Sequence, residues 1–172
     1  MNKNKLQFNF VTVLLLVVLL SGCMTMASSN RDPFYRDNGG WDSVRIPLIK
    51  PYYAILIKGD RNWQIPLFAN VSSKDIYYYI TLHHVEKIAV ESSILMVYTP
   101  YIENVDASIG QKVLHWFVFV PDKNLETGFD NEADFLKYIQ NYDVQVPAWE
   151  FPDSIYKQFI KTGCLDWIPD CK

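Results

Sequence analysis

The order of elements along the chain predicts an α+β fold, an antiparallel β meander of about five to seven strands followed by two C-terminal helices. Runs of β-branched and aromatic residues, separated by short turn signals, extend to Phe129. Beyond Asp130 the apolar period changes from alternation to the 3.6-residue spacing of a helix. Strands precede helices instead of alternating with them, which argues against parallel βαβ units.

The strands follow from local pattern. Residues 52–58 (YYAILIK) are rich in β-formers, Gly59-Asp60-Arg61-Asn62 is a turn, and residues 63–68 (WQIPLF) return. Pro66 cannot donate to a ladder, so that strand belongs at an edge or a bulge. Residues 76–82 form the next run after Asp75. Residues 85–90 (VEKIAV) alternate for most of their length, Glu91-Ser92-Ser93 turns the chain, and residues 94–99 (ILMVYT) come back. Residues 100–112 read as a polar loop. Residues 114–120 are nearly all apolar or aromatic, as expected of a central strand. Pro121-Asp122-Lys123-Asn124 is a turn, and residues 126–129 pair back.

The helices carry their own signals. Asp130 or Asn131 can cap the first, with Glu132 and Asp134 at the positive end of its dipole. Phe135, Tyr138, Ile139 and Tyr142 then form one apolar stripe. The second helix spans residues 152–162. Pro152 suits its first turn, Ile155, Phe159 and Ile160 face inward, and Gly163 suits the left-handed residue past its end.

The N-terminus has a different logic. Lys3 and Lys5 form a short positive region, residues 11–20 are apolar apart from Thr12, and Ser21 and Gly22 are small. The apolar run is too short to span a bilayer core, which needs about 20 residues. Leu20-Ser21-Gly22-Cys23 resembles the lipobox of a bacterial lipoprotein precursor. The resemblance implies cleavage between Gly22 and Cys23, acylation of Cys23, and a lipid-anchored, extracytoplasmic location. Stable anchoring takes more than one acyl chain, and such lipoproteins carry a diacylglyceryl thioether, usually with a third, amide-linked chain. Met24 stands where an Asp often retains enteric lipoproteins in the inner membrane, so an outer membrane is favoured in a Gram-negative host. The expected organisation is a signal peptide over residues 1–22, a lipidated flexible tether over 23–40, and a single α+β domain over 41–172. As a coil the tether would reach on the order of 20–25 Å.

Composition narrows the function. The 172-residue chain has a formal charge of −3, and residues 1–22 contribute Lys3 and Lys5 with no acid, so the 150-residue remainder stands at −5. This acidity disfavours nucleic acid as a partner, since its binders carry basic stripes. It also disfavours electrostatic adhesion to anionic lipid. After lipidation of Cys23, Cys164 and Cys171 remain. In an oxidising compartment a disulfide is the simplest reading, worth roughly 2–3 kcal/mol for so small a loop. Free thiols in an anaerobic host are the alternative. Two thiolates with no neighbouring His make a poor zinc cage.

Between about residues 52 and 142 the pattern Val85-Glu86-Lys87-Ile88, residues 94–98, Trp116-Phe117-Val118-Phe119-Val120, Gly128-Phe129 and Phe135-Leu136 is similar to small bacterial lipoprotein and secreted domains of unknown function. That likeness implies fold and carries no functional residue with it.

Few residues point to catalysis. His83 and His84 are neighbours on a strand and point to opposite faces, while His115 could join one of them if strands align. The reading is of surface imidazoles, with copper or zinc capture as the alternative. Glu126, Asp130, Glu132 and Asp134 resemble a carboxylate set for glycan cleavage, but capping and the helix dipole account for all four. A Gly-x-Ser-x-Gly elbow, a phosphate-cradling loop and a calcium loop are all missing from the sequence. No catalytic set, metal site or cofactor is therefore expected. The aromatics stand out, at 5 Trp, 11 Tyr and 10 Phe; most fill the core of a compact domain, which is the better reading for each taken singly, and an exposed subset is what would mark a binding surface. Tyr77, Tyr78, Tyr79, Trp149 and Trp167 are the candidates for a binding surface, Trp149 and Trp167 crowding the C-terminal segment with Phe151.

These features describe a membrane-tethered, non-enzymatic binding or accessory domain that contacts an envelope protein or glycan. An inhibitor or immunity lipoprotein directed at a basic toxin or lytic enzyme is the alternative. An envelope hydrolase is a third reading, and it requires His115 and a carboxylate to converge in one pocket.

Overall fold

The structure, a computed structural model, describes residues 31–68, 81–100 and 113–171. Gly22, Cys23, Tyr77, Tyr78, Tyr79 and residues 101–112 of the expected loop lie outside them. Among the described residues, eight strands form two four-stranded antiparallel sheets, each a simple meander, with two helices at the C-terminal end. The first sheet holds β1 (Ser43–Pro47), β2 (Tyr53–Ile57), β3 (Trp63–Pro66) and β4 (Thr81–Val85). The second holds β5 (Lys87–Glu91), β6 (Ile94–Tyr98), β7 (Trp116–Val120) and β8 (Leu125–Phe129). Helices α1 (Glu132–Ile139) and α2 (Pro152–Thr162) follow. The α+β expectation holds, with one strand more than its upper bound. The additional strand is β1, whose apolar residues Val44 and Ile46 are too few to mark it locally.

The division into two sheets falls inside the segment read as one strand at residues 85–90. His84 adopts a positive φ of 55°, a conformation His tolerates better than most residues. Val85 ends β4, and the Glu86 N–H already donates to Tyr98 of the second sheet at 3.0 Å. Pro66 falls to the second of its two expected settings, a strand with a bulge or irregular register instead of an edge strand. Its strand lies inside the first sheet, and the proline is tolerated as the last residue of β3, next to an irregular register against β4.

The second sheet is buried on both faces, and its sequence shows why. Leu95, Val97, Phe117 and Phe119 point into a core shared with Ile46, Ala54, Trp63, Ile65 and Leu82 of the first sheet. The residues between them, Ile94, Met96, Val118 and Val120, point the other way, into a second core with Phe135 and Ile139 of α1. Period-two alternation on two apolar faces reads as an unbroken apolar run. Of the expected stripe on α1, Tyr138 and Tyr142 are half-buried.

Asn131 caps α1, its Oδ1 accepting from the Asp134 N–H at 2.9 Å. Helix α2 buries Ile155 and Phe159 against the first core. Its Ile160 is 50% exposed, contrary to the inward position expected. The helix presents a single narrow stripe, and a residue one step beyond Phe159 rotates past it. Gly163 ends the helix at φ 66°, its N–H donating to Phe159 at 2.7 Å.

The compact unit starts at Arg31, not at Trp41. Asp32 caps a short 3₁₀ turn, Pro33–Arg36, and Tyr35 is only 8% exposed in the first core. Arg45 of β1 pairs with Asp37 and lies over the rings of Phe34 and Tyr53, 4.8 and 3.9 Å from their centroids. Gly39 bridges to Val44 at φ 101°, where an added Cβ would come within 2.5 Å of the Ser43 carbonyl. Residues 31–40 therefore pack as part of the domain, although turn-forming residues gave them the look of a tether. Among the described residues no helix is long and apolar enough to cross a membrane.

Candidate functional site

A groove of about 730 Å³ lies between the β5–β6 turn and the chain after α2. Its second wall is residues 165–170. Leu165 and Ile168 are buried in the first core and hold this wall from below. Cys164 and Cys171 flank it at disulfide distance, their Cα atoms 5.4 Å apart. Trp167, one of the aromatics singled out in the sequence, is half-buried here, its indole N–H donating to the Pro47 carbonyl at 3.1 Å. Arg31 braces the start of the loop, donating to the Gly163 carbonyl at 2.6 Å and to Cys164 Sγ at 3.3 Å.

The first wall is the hairpin turn, whose Ser92 and Ser93 both have positive φ, 48° and 64°. Two-residue hairpins need this backbone to match strand twist, and Asn-Gly usually supplies it. Glu91 stands beside the turn, one carboxylate oxygen accepting from the Ala148 N–H at 2.6 Å. Asp166 and Asp170 face it from the opposite wall, so among the described residues the groove is lined by three carboxylates and no Lys, Arg or His. Ile49 and Val90 add apolar surface. A cationic side chain with an apolar stem fits such a surface, the stem along the aromatic and aliphatic groups and the charge among the carboxylates.

The remaining predicted residues disperse. Trp149 is half-buried, stacks on Phe135 with centroids 5.9 Å apart, and lines a smaller cleft at the second sheet. Trp41, not singled out in the sequence, is 89% exposed at a shallow surface beside Ile57. Its setting hides it, since a lone Trp beside two glycines has no pattern. The histidines line none of these three surfaces. His115 Nδ1 lies 3.0 Å from the Thr99 carbonyl, and among the described residues no three His, Cys, Asp or Glu side chains gather as metal ligands.

Glu126 departs from the sequence reading, which placed it with the helix cap. It sits on β8 opposite Phe119, on the face turned to the first core, and is 3% exposed. Its Oε1 accepts from the Tyr52 hydroxyl at 2.8 Å and from the Phe68 N–H at 2.9 Å. Burial, then the neighbouring carboxylate, push the Tyr52 hydroxyl pKa well above the ordinary tyrosine value. The strand register was the signal that could have found this pair. Asp130 and Asp134 do stay at the cap, both accepting from Asn131 Nδ2, and Glu132 is in the first turn.

No family model matches the chain, and no curated protein or solved structure matches it either.

Proposed function

We propose that the chain is a lipid-anchored, extracytoplasmic binding domain without a catalytic role, which docks a cationic segment of an envelope protein in the Trp167 groove. The observation that carries the reading is the groove itself, with Glu91, Asp166 and Asp170 around Trp167 and no cation among its described lining residues. The lipobox ending at Cys23 supports the anchor, and the net acidity of the remaining chain supports a basic partner. The same acidity favours a second reading, an inhibitor or immunity-type lipoprotein that neutralises a cationic toxin or lytic enzyme.

Crosslinked capture of the lipidated protein from its own cells tests this. Cys23→Ala is the unanchored control and Asp166→Asn/Asp170→Asn the groove control. A protein with a Lys- or Arg-rich contact segment, captured by the anchored chain and lost from the groove variant, is the expected result. Capture that ignores the groove variant, or none above background, overturns the assignment. Tight, salt-sensitive binding to a purified cationic effector, with loss of its toxicity, separates the second reading from the first.

A further inference from the structure

Trp41 is the exception among the five tryptophans. It is 89% exposed, whereas the other four are buried or half-buried. A side chain of this kind offers about 150–250 Å² to burial, and here almost all of it stands in solvent. It is nevertheless held on a fixed base. The Gly40 N–H donates to the Ser43 carbonyl at 3.0 Å and closes the turn that carries Trp41, and the Lys58 N–H donates to the Asp42 carbonyl at 2.7 Å. These bonds fix the turn beside the end of β2, where Ile57 is 43% exposed. Trp41, Val44, Leu56 and Ile57 share a shallow hollow of about 280 Å³. In the two turns that make this end of the sheet, residues 40–43 and 58–62, Asp42 and Asp60 are matched by Lys58 and Arg61.

The Trp167 groove lies toward the opposite end of β1. Trp167 donates to Pro47, the last residue of that strand, and Ile49 beyond it lines the groove. Trp41 precedes Ser43, the first residue. Five strand residues set the two ends about 17 Å apart. We propose that the Trp41 end of the first sheet sits in the headgroup layer of the membrane that anchors Cys23, which turns the Trp167 groove away from the lipid and toward its partner. The proposal rests on the lipid-anchor reading and adds to it a facing, which acyl chains alone do not set.

Three observations select a lipid surface as the occupant. First, Arg31 stands eight positions after Cys23, and a stretch of that length spans at most about 27 Å. It keeps the domain beside the bilayer, and it exceeds the length of β1, so Cys23 and Trp41 can reach the interface together. Second, an indole joins an apolar ring to a polar N–H, and such side chains settle at headgroup depth. Third, charge is divided between the two ends. The groove carries Glu91, Asp166 and Asp170, which anionic headgroups repel. The matched charges of the Trp41 end do not oppose contact with a zwitterionic lipid surface.

The test places the full, lipidated chain in phosphatidylcholine vesicles and reads quenching of tryptophan emission by lipids brominated at a shallow or a deep position of the acyl chain. Flotation of the vesicles reports the anchor separately. Wild type should float and be quenched, more by the shallow bromines than by the deep ones. Trp41→Ser should float as well but lose that quenching, and Ile57→Ser should weaken it. Both positions are exposed, so unchanged thermal stability is expected. Asp166→Asn/Asp170→Asn should be quenched as wild type is. Failure of wild type to float would remove the anchor and this proposal with it. Flotation without lipid quenching, or with quenching that Trp41→Ser retains, would leave the anchor standing and overturn the membrane contact. So would a photocrosslinker at position 41 that captures a protein instead of lipid in the native cells.

Discussion

Trp167 and Trp149 lie on the same short C-terminal stretch, yet the concave surfaces they line are held by different physics. The Trp167 groove is a loop surface. Its walls are a two-residue turn and the segment between two cysteines, which is tied to the core by the buried Leu165 and Ile168 and by the half-buried Trp167. The Trp149 cleft is a strand surface. Its floor is fixed by ladder register, and Trp149 rests on Phe135, which is wholly buried. The first should yield to changes in chain closure, and the second to changes in core packing. The same comparison separates what the two surfaces select, since a groove lined by three acids and, among the described residues, no base selects by charge while a cleft with one of each does not.

Phe135→Ala is the largest expected break in that comparison. Truncating a buried Phe costs about 3–5 kcal/mol, so the urea midpoint should fall steeply. If the domain still folds, partner capture by the groove should persist. Its loss from a folded variant would mean that the two surfaces are not mechanically separate. Cys164→Ser/Cys171→Ser probes the other side. Opening so short a loop should cost roughly 2–3 kcal/mol, read by urea unfolding of the variant and of the reduced wild type. Limited proteolysis should then cut within residues 165–170, and the groove should lose its partner.

Tyr52→Phe touches neither surface and so serves as the control. The buried Tyr52 hydroxyl donates to Glu126, and its removal should cost about 1–2 kcal/mol near neutral pH. The pH dependence has a definite sign. Burial and the Glu126 carboxylate raise the folded pKa of Tyr52 above its unfolded value of about 10. The resulting stability is full below about pH 10 and is lost as pH rises above it, because only the unfolded chain then ionises there. Tyr142, pushed up to about 12 by burial and by Tyr138, acts in the same direction. Urea unfolding from about pH 8 to about pH 11 should therefore show a shallower alkaline decline in Tyr52→Phe than in wild type. An identical slope would remove the Tyr52–Glu126 pair as its cause.

Local pattern made most of the fold legible. The turns at Ser92-Ser93 and Asn124, the caps at Asn131 and Gly163, and the apolar runs of β6 and β7 each announce themselves within a few residues. What could not be read depends on register or on distant chain. Glu126 looks like a helix-cap acid until pairing sets it opposite Phe119. Residues 31–40 look like a linker because Asp, Asn, Gly and Pro mark turns whether or not the turn is packed, and only the burial of Tyr35 and the bridge from Gly39 to Val44 show that it is. The sequence flagged Trp149 and Trp167 as candidates but not their company. Lys87, Tyr98 and Trp116 become neighbours only through strand pairing. Glu91 meets Asp166 only because the chain after α2 folds back across the β5–β6 turn.

The smallest expected effect is the most pointed. Serine at both positive-φ positions of the β5–β6 turn is a poor local choice, since a non-glycine residue in the left-handed region costs of order 1 kcal/mol or more. Ser93→Gly removes that strain but adds freedom to the unfolded chain, so the net gain should be about 0.5 kcal/mol. Hydroxyls retained at such a cost make sense if they line a working surface, and Ser93 does line the groove. Ser93→Gly should then be slightly more stable by urea unfolding and weaker in partner capture. If the variant gains stability and captures the partner as wild type does, the serine contributes nothing to the groove, and recognition there rests on the carboxylates and Trp167 alone.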